Sequence, residues 1–298
     1  MKPLIGIYLP EDVCSAPQRA EKYIQLLGKR IQILSFYIAW GAGRRLDLPG
    51  IQGVLDGGFI PLITWEPWYW PQELPAGGRP EDQPDFSLSA ILAGKYDDYL
   101  RHWAVDLKEI SGPVFFRPMH EMNGNWYPWC GRTNGNQPEE YVETWCYIRS
   151  IFREVQNNNL IWVWSPYVHS VPDEPGNEIW RYYPGPKELD WVALDGYNWG
   201  NTQAWSRWQG FKEIFEETYE ELASLAAEKP MMIAEAGCAE KGGDKRDWIE
   251  EAFQVLNERF QRVRIFVWFN MKKECDWRIE SSLQSFQAFR RGVTHWVC

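Results

Sequence analysis

Three observations predict an eight-stranded β/α barrel, a single domain over residues 1–298. Eight short apolar runs alternate with segments of helical spacing, the pattern of an all-parallel sheet. The runs are apolar almost throughout, as strands covered by helices on both faces must be. Eight such units in 298 residues also match the usual size of a (β/α)8 barrel. A doubly wound open sheet is the alternative, but no Gly-rich phosphate turn follows the first strand.

The first strand spans 4–9, and 20–27 follows with helical spacing. The second strand, 31–39, ends at Trp40-Gly41, and a short helix is expected around Leu55. The third, 59–63, runs into Thr64, Trp65, Glu66, Pro67 and Trp68, then a Pro- and Gly-rich loop to about residue 85. In 91–107, Leu92, Tyr96, Leu100, Trp103 and Leu107 recur at three and four, so one helix is expected. Gly112-Pro113 punctuates before the fourth strand, 114–117. Pro138-Glu139-Glu140 opens a helix through Tyr141, Trp145, Ile148 and Phe152, with proline near its first turn. The fifth strand, 160–164, ends at Ser165-Pro166, and 167–190 reads mostly as loop. The sixth, 191–194, leads into Asp195, Gly196, Tyr197, Asn198, Trp199 and Gly200, before a helix over 211–227. The seventh, 231–234, leads into Glu235, before a helix over 248–260. The eighth, 263–269, ends at Asn270, and 279–289 makes the last helix.

Composition narrows the partners. A net charge of −10 repels phosphate backbones, so no nucleic acid is expected. No apolar run reaches the roughly 18–20 residues that span a bilayer, so no membrane is expected. The first strand is too short and too poorly flanked for a signal peptide. The chain is therefore expected in the cytoplasm or as a mature secreted form, and as a monomer. Six cysteines lack any C-x-x-C spacing, so free thiols are expected, with no metal and no cofactor. The 19 tryptophans exceed what a core needs. Flat aromatic faces suit flat, half-apolar ligands such as sugar rings.

Polar and aromatic residues gather at the C-terminal ends of the strands, the rim where barrel enzymes work. The densest stretch runs from Phe115 to Trp129. It opens as a strand, then crowds Arg117, His120, Glu121 and Asn123 ahead of Gly124 and large aromatics. Glu121 ends strand four and Glu235 ends strand seven, which oppose each other across an eight-stranded mouth. Paired carboxylates are what glycoside hydrolysis needs: one to protonate the leaving oxygen, one kept ionised by donors. Arg117 and Tyr197 are candidate donors to Glu235. His120 is a candidate partner for a sugar or a carboxylate, and Glu66 a third acid in substrate contact. Asn198 joins them as a candidate for substrate binding. Trp126 and Trp268 lie beside site residues and are expected to stack on sugars, with Trp65 lining the same open cleft. Trp103 and Trp145, at helical spacing, are expected in the core. A barrel that only binds carbohydrate would be expected to lack a carboxylate. A metal-dependent hydrolase would need several strand-end histidines, and only His120 qualifies.

The run His120-Glu121-Met122-Asn123-Gly124, followed by Trp126-Tyr127-Pro128-Trp129, closely resembles the acid/base motif of glycoside hydrolase family 26, best known for β-mannanases. Trp162-Val163-Trp164-Ser165-Pro166, the stretch from Asp190 to Tyr197, and Ile233-Ala234-Glu235-Ala236-Gly237 resemble the family's fifth-, sixth- and seventh-strand signatures. The resemblance implies a (β/α)8 fold and retention without a metal. It implies Glu121 as acid/base, Glu235 as nucleophile and Tyr197 as its hydrogen-bond partner, with Trp126 and Trp268 lining the cleft. Phe269 stands where the family's β-mannanases often carry an arginine, and the chain also resembles the β-glucanase branch. The expected activity is thus a retaining endo-β-1,4-glycanase acting on a β-mannan or β-glucan polysaccharide or oligosaccharide. Retention predicts the two carboxyl groups about 5–5.5 Å apart.

Overall fold

The computed structural model describes residues 2–296. Eight parallel strands follow one another around a closed barrel in chain order: β1 (Leu4–Tyr8), β2 (Ile33–Ala39), β3 (Ile60–Glu66), β4 (Val114–Pro118), β5 (Leu160–Trp164), β6 (Trp191–Asn198), β7 (Met231–Cys238) and β8 (Val263–Phe269). The helices among the described residues are α1 (Ala16–Leu27), α2 (Leu48–Asp56), α3 (Leu88–Leu92), α4 (Asp97–Lys108), α5 (Pro138–Val155), α6 (Phe211–Leu225), α7 (Lys245–Glu258) and α8 (Leu283–Trp296). None of them is long and apolar enough to cross a membrane. Cys14, Cys130, Cys146, Cys238 and Cys275 are free thiols, and Cys298 lies outside the described residues.

The chain divides into two compact units. One comprises Met1–Phe36, Asp56–Ile60 and Val192–Cys298; the other comprises Tyr37–Leu55 and Pro61–Trp191. In the first, β1 lies between β2 and β8 with Gly6 opposite Ile33 and Val267. A Cβ on Gly6 would meet Val267 Cγ2 at 2.7 Å and Ile33 Cβ at 2.9 Å, so the strands close only because this position has none. In the second unit, α5 shows how sequence makes these helices. Gln137 and Glu140 form a reciprocal capping box, Pro138 sits in the first turn, and Tyr141, Trp145, Ile148 and Phe152 share the buried face. Gln156 closes the helix in the left-handed region at φ 62°.

Several elements differ from the sequence expectation. The single helix expected over 91–107 is two, because Gly94 turns at φ 80° between α3 and α4. The first helix starts earlier, at Ala16, where Pro17 fits its first turn. The last helix starts later, at Leu283, because Ile279 N–H is spent on Asn270 Oδ1 at 2.8 Å and holds a loop. Strands β6 and β7 each run eight residues, so Tyr197, Asn198 and Glu235 lie within strands and not beyond them.

Candidate active site

In the unit that holds β3, β4 and β5, Arg117 is aligned with Thr64 across β3 and β4. Its guanidinium donates to Thr64 Oγ1 at 2.7 and 3.0 Å and to Ser165 Oγ at 3.4 Å. Past Pro118 the backbone leaves the strand through two residues of positive φ, Met119 at 49° and Glu121 at 51°. Each such non-glycine residue costs about 1–3 kcal/mol and persists only where its surroundings over-determine it, as they do at sites. Both neighbouring strands supply the constraint: Met119 N–H donates to Trp65 O at 3.0 Å, and Glu121 N–H to Ser165 O at 2.7 Å.

The loop that follows wraps around the acid. Trp126 Nε1–H donates to Glu121 Oε2 at 2.7 Å. Trp129 Nε1–H donates to His120 O at 2.7 Å, and Gly131 N–H to Met122 O at 3.0 Å. His120 is buried beside Tyr127 and Trp129, whose rings are 4.9 and 5.9 Å away. The Cys130 thiol donates to Glu121 O at 3.4 Å, and burial pushes its pKa up to about 12, so it stays protonated and inert. Glu66 Oε2 accepts from the indoles of both Trp68 and Trp70 at 3.2 Å. The Trp70 ring carries the Arg44 guanidinium 4.5 Å from its centroid.

In the unit that holds β6, β7 and β8, the register between β6 and β7 shifts at Leu194/Asp195. Leu194 pairs with Ile233, but Asp195 pairs with Glu235, leaving Ala234 as the extra residue. Such a bulge re-aims the side chains beyond it, and bulges concentrate near sites. Tyr197 OH donates to Glu235 Oε2. The Tyr197 ring is itself packed by Trp277 at 5.0 Å and Phe269 at 5.6 Å. Glu235 is 5 % exposed and Glu121 6 %, enough for a carboxylate oxygen to meet a ligand in a largely dry setting.

Four of the expected site residues occupy packed positions. Trp65 is buried against Trp40, Tyr99, Trp103 and Phe116, toward the helices and not a cleft. Trp268 packs on Trp248 and Phe289, and its indole donates to Trp277 O at 2.9 Å. Both lie on the helix-facing side of their strands. Arg117 is 0 % exposed and braces neighbouring strands. Asn198 uses its Oδ1 to accept from Gly200 N–H and Gln209 N–H, which shapes the turn after β6. Trp65→Ala and Trp268→Ala are therefore expected to cost about 3–5 kcal/mol of stability each. Denaturant melts and KM read together check this: a raised KM at unchanged stability would restore the stacking role. Trp277 and Trp70 are not singled out by the sequence. The signal for Trp277 is a lone aromatic between the polar run Lys272-Lys273-Glu274-Cys275-Asp276 and Arg278, a few residues beyond a strand end.

Residues 88–238 match the family model described as glycosyl hydrolase family 26. Endoglucanase H of Acetivibrio thermocellus is 35 % identical over 278 residues, covering 92 % of this chain and 28 % of that protein. Mannan endo-1,4-beta-mannosidase A and B of Caldalkalibacillus mannanilyticus is 30 % identical over 187 residues, covering 60 % of this chain and 32 % of that protein. In three dimensions, the catalytic domain of the Bacillus sp. JAMB-750 GH26 endo-beta-1,4-mannanase superposes with a TM-score of 0.73 at 17 % identity. The match covers 98 % of this chain and 86 % of that one, a likeness of fold. The chain belongs to glycosyl hydrolase family 26. It spans only about a third or less of the length of the two relatives named first.

Proposed function

We propose that this chain acts as one catalytic module, a retaining endo-β-1,4-glycanase whose substrate is a β-glucan backbone. The hydrogen bond from the Tyr197 hydroxyl to Glu235 carries the reading. A donor fixed on one carboxylate oxygen favours the ionised form and leaves the other oxygen for attack. Glu235 attacks the anomeric carbon while Glu121 gives its proton to the departing sugar oxygen. The bond from the anomeric carbon to that oxygen breaks, and a glycosyl ester on Glu235 remains. Glu121, now a carboxylate, takes a proton from water; the water oxygen bonds to the anomeric carbon and frees Glu235. Trp126, His120, Glu66 and Tyr197 border the sugar chain. No step needs a metal or a cofactor.

β-Glucan is preferred over β-mannan because the relative matched over nearly the whole chain is named an endoglucanase. A mannan backbone is the second reading, favoured by the relative named a mannan endo-1,4-beta-mannosidase. Phe269, stacked on Tyr8 at 4.7 Å, offers no charge to a sugar hydroxyl. Proton NMR of a digest in progress tests the mechanism, and a panel of cellulose, mixed-linkage glucan and mannan tests the sugar. The β-anomer of the new reducing end should appear first. An α-anomer first would mean inversion and would remove Glu235 as nucleophile.

A further inference from the structure

Lys245 opens α7 against two rules. It is 1 % exposed, whereas buried cations are disfavoured unless paired with a carboxylate. It is also the first residue of its helix, where the macrodipole disfavours positive charge. A residue that breaks local rules twice is held by something specific. Here that is the loop between β8 and α8. The Lys245 ammonium donates to Arg278 O at 2.8 Å, Asp276 O at 3.2 Å and Ser281 Oγ at 2.8 Å. All three of its protons are thus placed on one segment.

That segment has little regular structure of its own, with one isolated bridge between Lys272 and Asp276. Its other anchors include Trp277 N–H on Met271 O at 3.0 Å, Trp268 Nε1–H on Trp277 O at 2.9 Å, Ile279 N–H on Asn270 Oδ1 at 2.8 Å and Ser281 Oγ–H on Glu240 Oε1 at 2.5 Å. What it carries is the Trp277 ring, 5.0 Å from Tyr197 and 4.9 Å from Trp199. Tyr197 in turn donates to Glu235. We infer that Lys245 is a positioning residue for the nucleophile: by fixing residues 276–281 it sets Trp277 against Tyr197 and so keeps the Tyr197 hydroxyl on Glu235. The inference rests on Glu235 acting as nucleophile.

The groups that face Lys245 are Cys238 on β7, Glu240 beyond it, Cys275, Asp276 and Arg278 on the loop, and the Trp268 ring at 5.8 Å. Asp244 precedes it as the helix cap. Arg278 is already engaged with Asp276 at 2.6 and 2.8 Å. Burial holds Lys245 below the ordinary lysine range, with Cys238, Glu240 and Asp276 opposing that shift. As pH rises through this lowered value, the ammonium loses a proton and one of its three bonds.

The test uses a 2-deoxy-2-fluoro-β-glycosyl fluoride. A Glu235 oxygen bonds to the anomeric carbon and fluoride leaves, needing no proton from Glu121. The inactivation rate therefore reads nucleophilic attack alone, and peptide mapping reads where the label sits. Lys245→Met is expected to slow inactivation about tenfold, with KM for polysaccharide changed less than about twofold. The parent rate should also fall at alkaline pH, and Lys245→Met should lack that fall. Ser281→Ala removes one acceptor, is expected to slow inactivation about two- to threefold, and decides the matter if Lys245→Met does not fold. A label on another residue overturns the role of Glu235. A label on Glu235 at the parent rate and with the parent pH profile in Lys245→Met, or at the parent rate in Ser281→Ala where that variant decides, overturns only the role of Lys245.

Discussion

Glu235→Ala is expected to lose activity on every substrate, by at least about 10⁴-fold, the scale on which removal of a covalent nucleophile acts. A better leaving group does not help, because no glycosyl ester forms without the attacking carboxylate. The fold should survive. Glu235 sits on a strand whose neighbours Ala234 and Ala236 are fully buried, and alanine fits the extended backbone there. A pre-steady-state trace with an aryl glycoside should show no burst of phenol. A burst from this variant would show that another group attacks.

Glu121→Ala is expected to fail in a different manner. On polysaccharide the leaving group is a sugar alcohol that needs a proton, so activity should fall about 10²–10⁴-fold. On an aryl glycoside with a good leaving group the first step should survive. The second should be slow, since the same carboxylate must then activate water. A burst of phenol followed by a slow steady state is the expected trace. Equal collapse on both substrates would overturn the acid/base assignment. Trp126 should amplify the contrast, because its indole loses its carboxylate acceptor at 2.7 Å when Glu121 is removed.

Much of this architecture was legible from periodicity. The eight apolar runs became eight strands because a barrel strand is covered on both faces and carries its hydrophobicity continuously. That same continuity hid which way each tryptophan points. Trp65 and Glu66 are adjacent on β3, and adjacent strand residues face opposite sides. Parity alone therefore separates Trp65 from the acid beside it. Trp268 has only apolar neighbours on β8, so nothing in the sequence reveals its face. Trp103 and Trp145 were read as core from helical spacing and are fully buried. The bond from Trp126 to Glu121 could not be foreseen, because it depends on how a loop folds back over five residues. Lys245 was invisible for a related reason. A lysine at a helix start reads as a solvated charge, and only the loop from 276 to 281, more than thirty positions away, makes it a buried anchor.

The loop from Met119 to Asn136 has a consequence for how this protein can change over generations. Many of its bonds close on itself: Trp129 to His120, Gly131 to Met122, Thr133 to Tyr127 and Asn136 to Pro128. Outward ties fix where it sits: Met119 N–H on Trp65 O, Glu121 N–H on Ser165 O, Asn136 Oδ1 accepting from Leu88 N–H, and Asn123 exchanging bonds with the Tyr167 backbone. A segment that carries its own scaffold behaves as a cassette. Drift in other loops beyond the strands, such as the one that bears the exposed Trp205, leaves the backbone ties of Glu121 where they are. The proposed proton donor is then inherited on one piece of chain, which can be kept while the loops around it are rewritten.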